Sequence, residues 1–401
     1  MNQVKGRKIV LGVSGGIAAY KAVDLLRRIQ DLEGRVAVVM TANAQRFVTP
    51  LTFQALTPEG VYTDLFDAYR PGAMDHIHLA QWADLVVLAP ATANLLAKAA
   101  QGLADDLLST FLLACTAPRL FCPAMNVRMY ENPALQANLD RIQERGGLIL
   151  EPAAGSLACG ETGRGRLAPV EQIIESLQGI FSPADLRGER ILITTGCTWE
   201  PLDPVRFLTN PSTGRMGFAL ARVARRRGAT VTLISGPTHL APVPGVEHIP
   251  VVTARDMEKA VLEAFPRATI VIKAAAVSDY RPEETAEQKI KKKEERVTLS
   301  LVQNPDILRR LGRLKNDQFL VGFAAETEHL LQNARTKLEE KNLDLIVANP
   351  IGVPGAGFAG ETNQVHFLFP DGEAEKLPLM LKEEVASQLF DRIIREKGKK
   401  A

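Results

Sequence analysis

Cysteine is scarce in this 401-residue chain: four residues, at positions 115, 122, 159 and 197, with no C-x-x-C pair among them. That spacing excludes a disulfide framework and argues against a structural zinc site, so a reducing cytoplasm is the expected setting. Charge of one sign is also missing. The 48 Lys and Arg against 46 Asp and Glu leave a net charge of +2, which gives no electrostatic support to a nucleic-acid or membrane-surface role. Long apolar runs are absent as well. The first stops at Ser14, without a signal-peptide cleavage pattern, and the stretch from Ala83 to Ala100 is cut by Pro90, Asn94 and Lys98. A membrane helix needs roughly 20 uninterrupted residues. The 30 Gly and 24 Pro are dispersed, and no fixed-period repeat is visible, which excludes collagen-like and solenoid architectures.

What remains is ordinary globular composition, 46% apolar and 23% charged, in a chain long enough for two domains. Short β-branched runs alternate with helical periodicity, the pattern of βα units around parallel sheets. The spacing predicts strands at Lys8–Val13, Arg35–Met40, Leu85–Ala89 and Arg119–Cys122, with a helix carrying Ala18, Ala22, Leu25, Ile29 and Leu32 on one face. The segment from Phe181 to Gly188 has linker chemistry. A second series then predicts strands at Arg190–Thr195, Thr230–Ser235, Thr269–Ala274 and Leu343–Ala348, and a helix at Gly217–Arg227. Continuous apolar strands such as VVLA imply burial on both faces. The expected architecture is α/β, two doubly wound domains, over residues 1–182 and 188–401.

Candidate chemistry gathers at the predicted carboxyl ends of strands, where open α/β sheets bind ligands. GVSGGI, at residues 12–17, is a strand-to-helix glycine turn suited to a phosphate, though it lacks the dinucleotide fingerprint and reads equally as a tight structural turn. APATAN ends at Asn94, and PAMNVRMY spans Pro123 to Tyr130. There Asn126 equally reads as a helix cap and Met125 as core filler. His76, in DHIH before a strand, reads either as a satisfied structural histidine or as a proton carrier. GSLACGETGRGRL has the composition of a mobile loop or flap, which suits Cys159 poorly to burial; Cys115, on an apolar helix, reads as a buried thiol. In the second half, PLDPVR and NPSTGRMG lead into a helix start, and KIKKK from Lys289 is either a solvated face or a polyanion contact. Lys337 and Lys341 share one helical face.

Taken together, GVSGGIAAYK, the His76 motif, LAPATAN, PAMNVRMY and the ACG segment resemble the flavin-dependent cysteine decarboxylases. The second half, from about residue 188 to about residue 390, resembles the phosphopantothenate–cysteine ligases. The resemblance implies a flavodoxin-like or Rossmann-like flavoprotein domain followed by a Rossmann-like ligase domain, as in the bifunctional enzymes of coenzyme A synthesis. It implies FMN held by Ser14, Gly15, Gly16, Ile17, Thr41, Ala91, Thr92 and Asn94. His76 and Asn126 would be the decarboxylation pair, Met125 a substrate contact, and Cys159 the final proton donor. For the ligase it implies CTP lined by Lys273, Ala274, Ala275, Asp279 and Lys289, by Pro305, Asp306, Ile307 and Leu308, and by Phe323, Lys337 and Lys341. Asn210, with Arg206 and Ala276 nearby, would hold an acyl-cytidylate, and Lys289 would be the principal cation. Mg²⁺ is implied with no ligand assigned. The substrates implied are 4′-phosphopantothenate, cysteine and CTP, and the assembly implied is a homo-oligomer of trimeric flavin domains and dimeric ligase domains. The GCTWE segment departs from the family pattern, and Cys197 there reads as a non-catalytic thiol. Two rival readings are a flavin-binding regulatory module without turnover and an NAD-dependent oxidoreductase.

Overall fold

The computed structural model describes residues 3–66, 74–156, 160–291, 298–326, 328–352, 357 and 360–400. The chain folds as two compact units that divide between Phe181 and Ser182. Cys159, Lys292 and Lys293 lie outside the described residues.

In the first unit, β1 (Lys8–Val13), β2 (Arg35–Met40), β3 (Val61–Tyr62), β4 (Leu85–Ala91), β5 (Arg119–Pro123) and β6 (Leu148–Ile149) form one parallel sheet in the order β3-β2-β1-β4-β5-β6. This is the doubly wound order, and without the two-residue β3 it reduces to the flavodoxin order. Alternation along each strand feeds two cores. Ile9, Leu11, Val36, Val38, Leu85 and Val87 face α1 (Lys21–Asp31) and the last helix of the unit (Val170–Phe181). Val10, Val39, Val86 and Leu88 face the helices that follow β3, β4 and β5. Each fully buried Leu, Ile or Phe contributes roughly 1.5–3 kcal/mol, so both faces of the sheet must be covered. In α1 the spacing of Ala22, Leu25, Leu26 and Ile29 buries one stripe.

Between β4 and β5 lie α2 (Ala93–Gln101), closed by Gly102 in the left-handed conformation, and α3 (Leu107–Ala114), opened by an Asp106–Ser109 capping box. After β5 come α4 (Val127–Tyr130), capped by Asn126, and α5 (Pro133–Glu144). The glycine-rich stretch is not simply a loop. Its ends, β7 (Ala153–Ser156) and β8 (Thr162–Arg166), pair as an antiparallel hairpin. Glycine composition masked the pairing because Gly163 and Gly165 are strand residues without side chains, pressed against the Val127 side chain and the Met125 carbonyl oxygen respectively.

The second unit repeats the plan. β9 (Arg190–Thr195), β10 (Thr230–Ser235), β11 (Glu247–Pro250), β12 (Ile270–Lys273), β13 (Phe319–Glu326) and β14 (Leu345–Pro350) form a parallel sheet in the order β11-β10-β9-β12-β13-β14. Two antiparallel strands, β15 (His366–Leu368) and β16 (Ala374–Lys376), extend it beyond β14. One face is covered by α6 (Arg215–Arg226) and the C-terminal helix (Lys382–Lys400), which bury Phe218, Ala221, Ala224, Leu389 and Phe390. The other is covered by helices at Ala254–Ala264, Ile307–Leu314 and Leu330–Glu340. The strand expected at Leu343–Ala348 begins two residues later. Leu343 is buried, but its amide closes the preceding helix on the Leu338 carbonyl at 3.0 Å.

Candidate functional site

In both sheets the strand order reverses beside the first strand, so a crevice forms at the carboxyl ends of β1 and β4 and of β9 and β12. In the first unit it is a cleft of about 810 Å³. Ser14, Gly15, Gly16 and Ile17 line one wall, Thr41 and Asn43 a second, Thr92 and Asn94 a third, and Met125 and Asn126 the far side. Ser14 ties two walls together: its hydroxyl donates to the Pro90 carbonyl at 2.7 Å and accepts from the Thr92 amide at 2.9 Å. Gly15 is required by close approach, since a Cβ there would fall 2.3 Å from Asn43 Cβ.

Of the residues expected to hold a flavin, Ala91 alone does not line this cleft; it is buried beneath it, its carbonyl accepting from the Ala124 amide at 3.1 Å. His76 is not brought there either. It sits near the start of the Asp75–Trp82 helix, partly buried, with Nδ1 shielded and without a hydrogen-bond partner. His76 and Asn126 are therefore not brought together within one chain, because that helix joins β3 to β4 while the cleft is built by the residues that follow β1, β2, β4 and β5. The structure adds Lys21, Lys98, Asp106 and Arg166 to the lining. Lys98 was discoverable, being four residues beyond Asn94 on the same helix face; it pairs with Asp105 at 2.5 Å and Asp106 at 2.8 Å. The cleft fits a flavin mononucleotide on its own chemistry: apolar Ile17, Ala42, Met125, Met129 and Leu167 for a flat ring, and a glycine turn with Ser14, Lys21 and Arg166 for a phosphate. Cys122, on β5, is fully buried in the core, and burial pushes its thiol far above the usual range, so it is inert.

The second unit assembles its own set. Asn210 Nδ2 donates to the carbonyls of Ala276 and Val277, each at 3.3 Å, so Asn210 and Ala276 meet. Cys197 bridges to Ala276 and is buried. Asp203, which sequence reasoning passed over, is a buried carboxylate that accepts the amides of Val205 and Arg206 at 2.8 Å and that of Ile290 at 3.1 Å. Burial alone would raise its pKa, but these backbone donors and the Arg206 guanidinium hold it below the usual carboxylate range. Arg206 in turn donates to the Ile290 carbonyl at 3.1 Å. Both backbone groups of Ile290 are thus held, and the neighbouring Lys289 is exposed.

Lys273 ends β12, followed by Ala274 and Ala275, both half-buried, then Asp279, which is exposed. Burial first, and the Lys341 charge second, lower the Lys273 pKa to about 8, against the opposing pull of Asp306 and Asp279. Pro305 and Asp306 precede the Ile307–Leu314 helix, and Asp306 caps it by accepting the Arg309 amide at 3.0 Å. The side chains of Ile307 and Leu308 are core residues, which leaves only their backbone for a ligand. Phe323 packs against the core from β13. Lys337 and Lys341 are both engaged, with Glu326 at 2.5 Å and Asp306 at 2.9 Å.

Residues 2–182 match the family model described as Flavoprotein, and residues 186–396 match that of the DNA/pantothenate metabolism flavoprotein C-terminal domain. The coenzyme A biosynthesis bifunctional protein CoaBC of Bacillus subtilis (strain 168) is 48% identical over 394 residues, 97% of each chain. The chain belongs to the coenzyme A biosynthesis bifunctional protein family. The family's Escherichia coli (strain K12) member is 47% identical, again over 97% of each chain. A crystal structure of the C-terminal domain of a CoaBC protein is 42% identical, covering 53% of this chain and 97% of that one, with a TM-score of 0.46. A PPC decarboxylase mutant complexed with pantothenoylaminoethenethiol is 31% identical, covering 44% of this chain and 99% of that one, with a TM-score of 0.41.

Proposed function

We infer that this chain is a bifunctional enzyme of coenzyme A biosynthesis: its second unit ligates 4′-phosphopantothenate to cysteine with CTP, and its first decarboxylates the product to 4′-phosphopantetheine. The observation that carries the reading is the convergence of the GVSGGI turn, Thr41, Thr92, Asn94 and Asn126 on one cleft, in a chain that matches bifunctional relatives along nearly its whole length.

In the ligase unit, the substrate carboxylate attacks the α-phosphorus of CTP. The P–O bond to pyrophosphate breaks as the acyl-cytidylate forms. Lys273, Lys289, Lys337 and Lys341 offset the repulsion between the two anions and stabilise the leaving pyrophosphate. Lys337 and Lys341 must exchange their carboxylate partners for phosphate oxygens to do so. Asn210, held on the Ala276 and Val277 carbonyls, faces the acyl group with Arg206 nearby. The cysteine amine then displaces CMP and loses a proton. Among the described residues no group of three His, Cys, Asp or Glu is disposed to hold a metal ion. Mg²⁺ would therefore arrive on the triphosphate, which suits a cation that keeps its water and binds through few protein ligands.

In the decarboxylase unit, bound FMN would supply reversible hydride chemistry, taking a hydride from the thiol-bearing carbon of the substrate, which turns sulfur into an electron sink for the departing carboxylate, and giving it back once carbon dioxide has left. Asn126 Nδ2 donates to that carboxylate, and Met125 packs beside it. Cys159 returns a proton to the substrate carbon after carbon dioxide has left. His76 handles the substrate proton. Because His76 does not line the cleft of its own chain, it acts in this reading in the cleft of a second copy, within a trimer. Exposed Ile17, Tyr20 and Leu51 support such burial against another copy. Dimeric ligase units and a cytoplasmic setting complete the proposal.

Incubation of the purified holoenzyme with 4′-phosphopantothenate, cysteine, CTP and Mg²⁺ tests it. CMP, pyrophosphate and carbon dioxide are expected in equal amounts. CMP without carbon dioxide would refute the decarboxylase half, and a protein unable to bind FMN would do the same.

A further inference from the structure

Asn126 uses its two amide atoms for different tasks. Oδ1 caps the short helix after β5 by accepting the Arg128 amide at 2.8 Å, which turns Nδ2 outward to donate to Glu161 Oε2 at 2.6 Å. The second oxygen of the same carboxylate, Oε1, lies 2.9 Å from Nε of Arg128. A single carboxylate therefore bridges a neutral amide and a guanidinium, two donors only two residues apart at the edge of the flavin cleft. The arrangement is fastened from behind. The Met125 amide donates to the Gly165 carbonyl at 2.9 Å, and a Cβ at Gly165 would fall 2.3 Å from the Met125 carbonyl oxygen. At Gly163 a Cβ would meet Val127 at 2.5 Å. The strand that directly follows Glu161 thus lies on the segment that carries its donors.

We propose that Asn126 and Arg128 form a two-point carboxylate seat, that Glu161 is its resident occupant, and that the α-carboxylate of the acylated-cysteine substrate binds by displacing Glu161. This deepens the decarboxylase reading and rests on it. The chemistry gives the exchange a purpose. An acid substrate offers the seat the same group that Glu161 does, whereas the decarboxylated product offers nothing. When carbon dioxide leaves, Glu161 returns to Arg128 and Asn126, so the guanidinium is never stranded and the product, which has no carboxylate, loses its hold on the seat. Arg128 is 84% exposed, so its share of the seat is moderate and the internal competitor is displaceable.

The test uses the FMN-loaded enzyme and two unreactive ligands, 4′-phosphopantothenoylserine and its counterpart lacking the carboxylate, 4′-phosphopantothenoylethanolamine. A hydroxyl replaces the thiol in both, and binding is read from the flavin absorbance. Arg128→Ala is expected to weaken the serine ligand roughly tenfold and to leave the ethanolamine ligand unchanged. Glu161→Ala and Glu161→Gln are expected to tighten the serine ligand roughly fivefold, again without effect on the other. Unchanged affinity for the ethanolamine ligand shows at the same time that each variant is folded. Equal weakening of both ligands by the Glu161 variants would overturn the proposal, since it would make Glu161 a structural tether. So would an Arg128→Ala enzyme that does not discriminate. If the wild-type enzyme binds neither ligand, the decarboxylase reading itself falls and the seat falls with it.

Discussion

Lys273 offers the most quantitative test of the ligase site. Its pKa falls from 10.5 to about 8 because burial and the facing Lys341 outweigh Asp306 and Asp279. At about 1.4 kcal/mol per pH unit, the folded chain holds the protonated ammonium about 3 kcal/mol less favourably than water does. The penalty applies in full wherever the lysine is charged in the folded state, below about pH 8. It shrinks as pH rises from about 8 toward 10.5, and above that it vanishes. Lys273→Met keeps the stem and removes the charge. It is therefore expected to stabilise the ligand-free second unit by up to about 3 kcal/mol at pH 7, and by progressively less toward pH 10. Unfolding transitions at the two pH values measure this, and a variant less stable than wild type at pH 7 would refute it.

A lysine whose charge burial disfavours has its complement in a polyanionic ligand. A triphosphate brought beside Lys273 restores its charge, so nucleotide binding must draw a proton from solvent wherever the free enzyme is partly deprotonated. About half the molecules are in that state at pH 8 and about one in ten at pH 7. Titration calorimetry with CTP in buffers of different ionisation enthalpy counts those protons. The expected uptake at pH 8 is roughly 0.4 greater than at pH 7, and that difference should be lost in Lys273→Met. An uptake that does not change with pH, or that persists in the variant, would remove Lys273 from the nucleotide site.

Other perturbations address separate parts of the molecule. Gly15→Ala drives a Cβ to 2.3 Å from Asn43 Cβ and 2.8 Å from its carbonyl carbon. Overpacking against backbone should weaken FMN binding at least roughly tenfold, read as flavin retained through dialysis. Asp203→Asn can keep one oxygen for the Val205 and Arg206 amides but puts an NH2 group where the Ile290 amide now donates, releasing Ile290 and with it Lys289. The ligase kcat should fall roughly tenfold while decarboxylation of supplied phosphopantothenoylcysteine stays at the wild-type rate, and equal loss of both would indicate unfolding instead. Co-assembly of His76→Ala with Asn126→Ala chains should restore about one quarter of the decarboxylase sites, the fraction pairing an intact Asn126 with a neighbour's intact His76. No restoration would place both residues in one chain's cleft. Cys159→Ser should release carbon dioxide yet accumulate an oxidised enethiol product, visible by mass.

The central strands were legible because a strand buried on both faces must be apolar throughout. Arg35–Met40, Arg190–Thr195 and Thr230–Ser235 have the bounds that their β-branched runs imply. The antiparallel extension at His366–Leu368 and Ala374–Lys376 was not, since the outer strand spends two of its three residues on Glu375 and Lys376 and has no apolar run to announce it. Parallel topology also explains why the site motifs converge. It sends every carboxyl strand end to one edge, so Ser14, Thr41, Thr92 and Asn126 meet although they are far apart in the chain.

The electrostatic state of the site was hidden for a different reason. Helical spacing places Lys337 and Lys341 on one face, and there they look like two cations waiting for a polyanion. In the folded chain each already has a carboxylate, Glu326 from the end of β13 and Asp306 from a helix cap. Neither partner stands at a spacing that local periodicity connects to the lysines. At Lys337 and Lys341, therefore, a triphosphate must compete with carboxylates already in place. The same arrangement recurs at Asn126 and Arg128, where Glu161 sits on the donors. Both units thus keep carboxylates on the groups proposed to receive an anionic substrate. If that pairing sets affinity, Glu326→Gln should tighten CTP binding, whereas a structural role for the Lys337–Glu326 pair would make the same change weaken it.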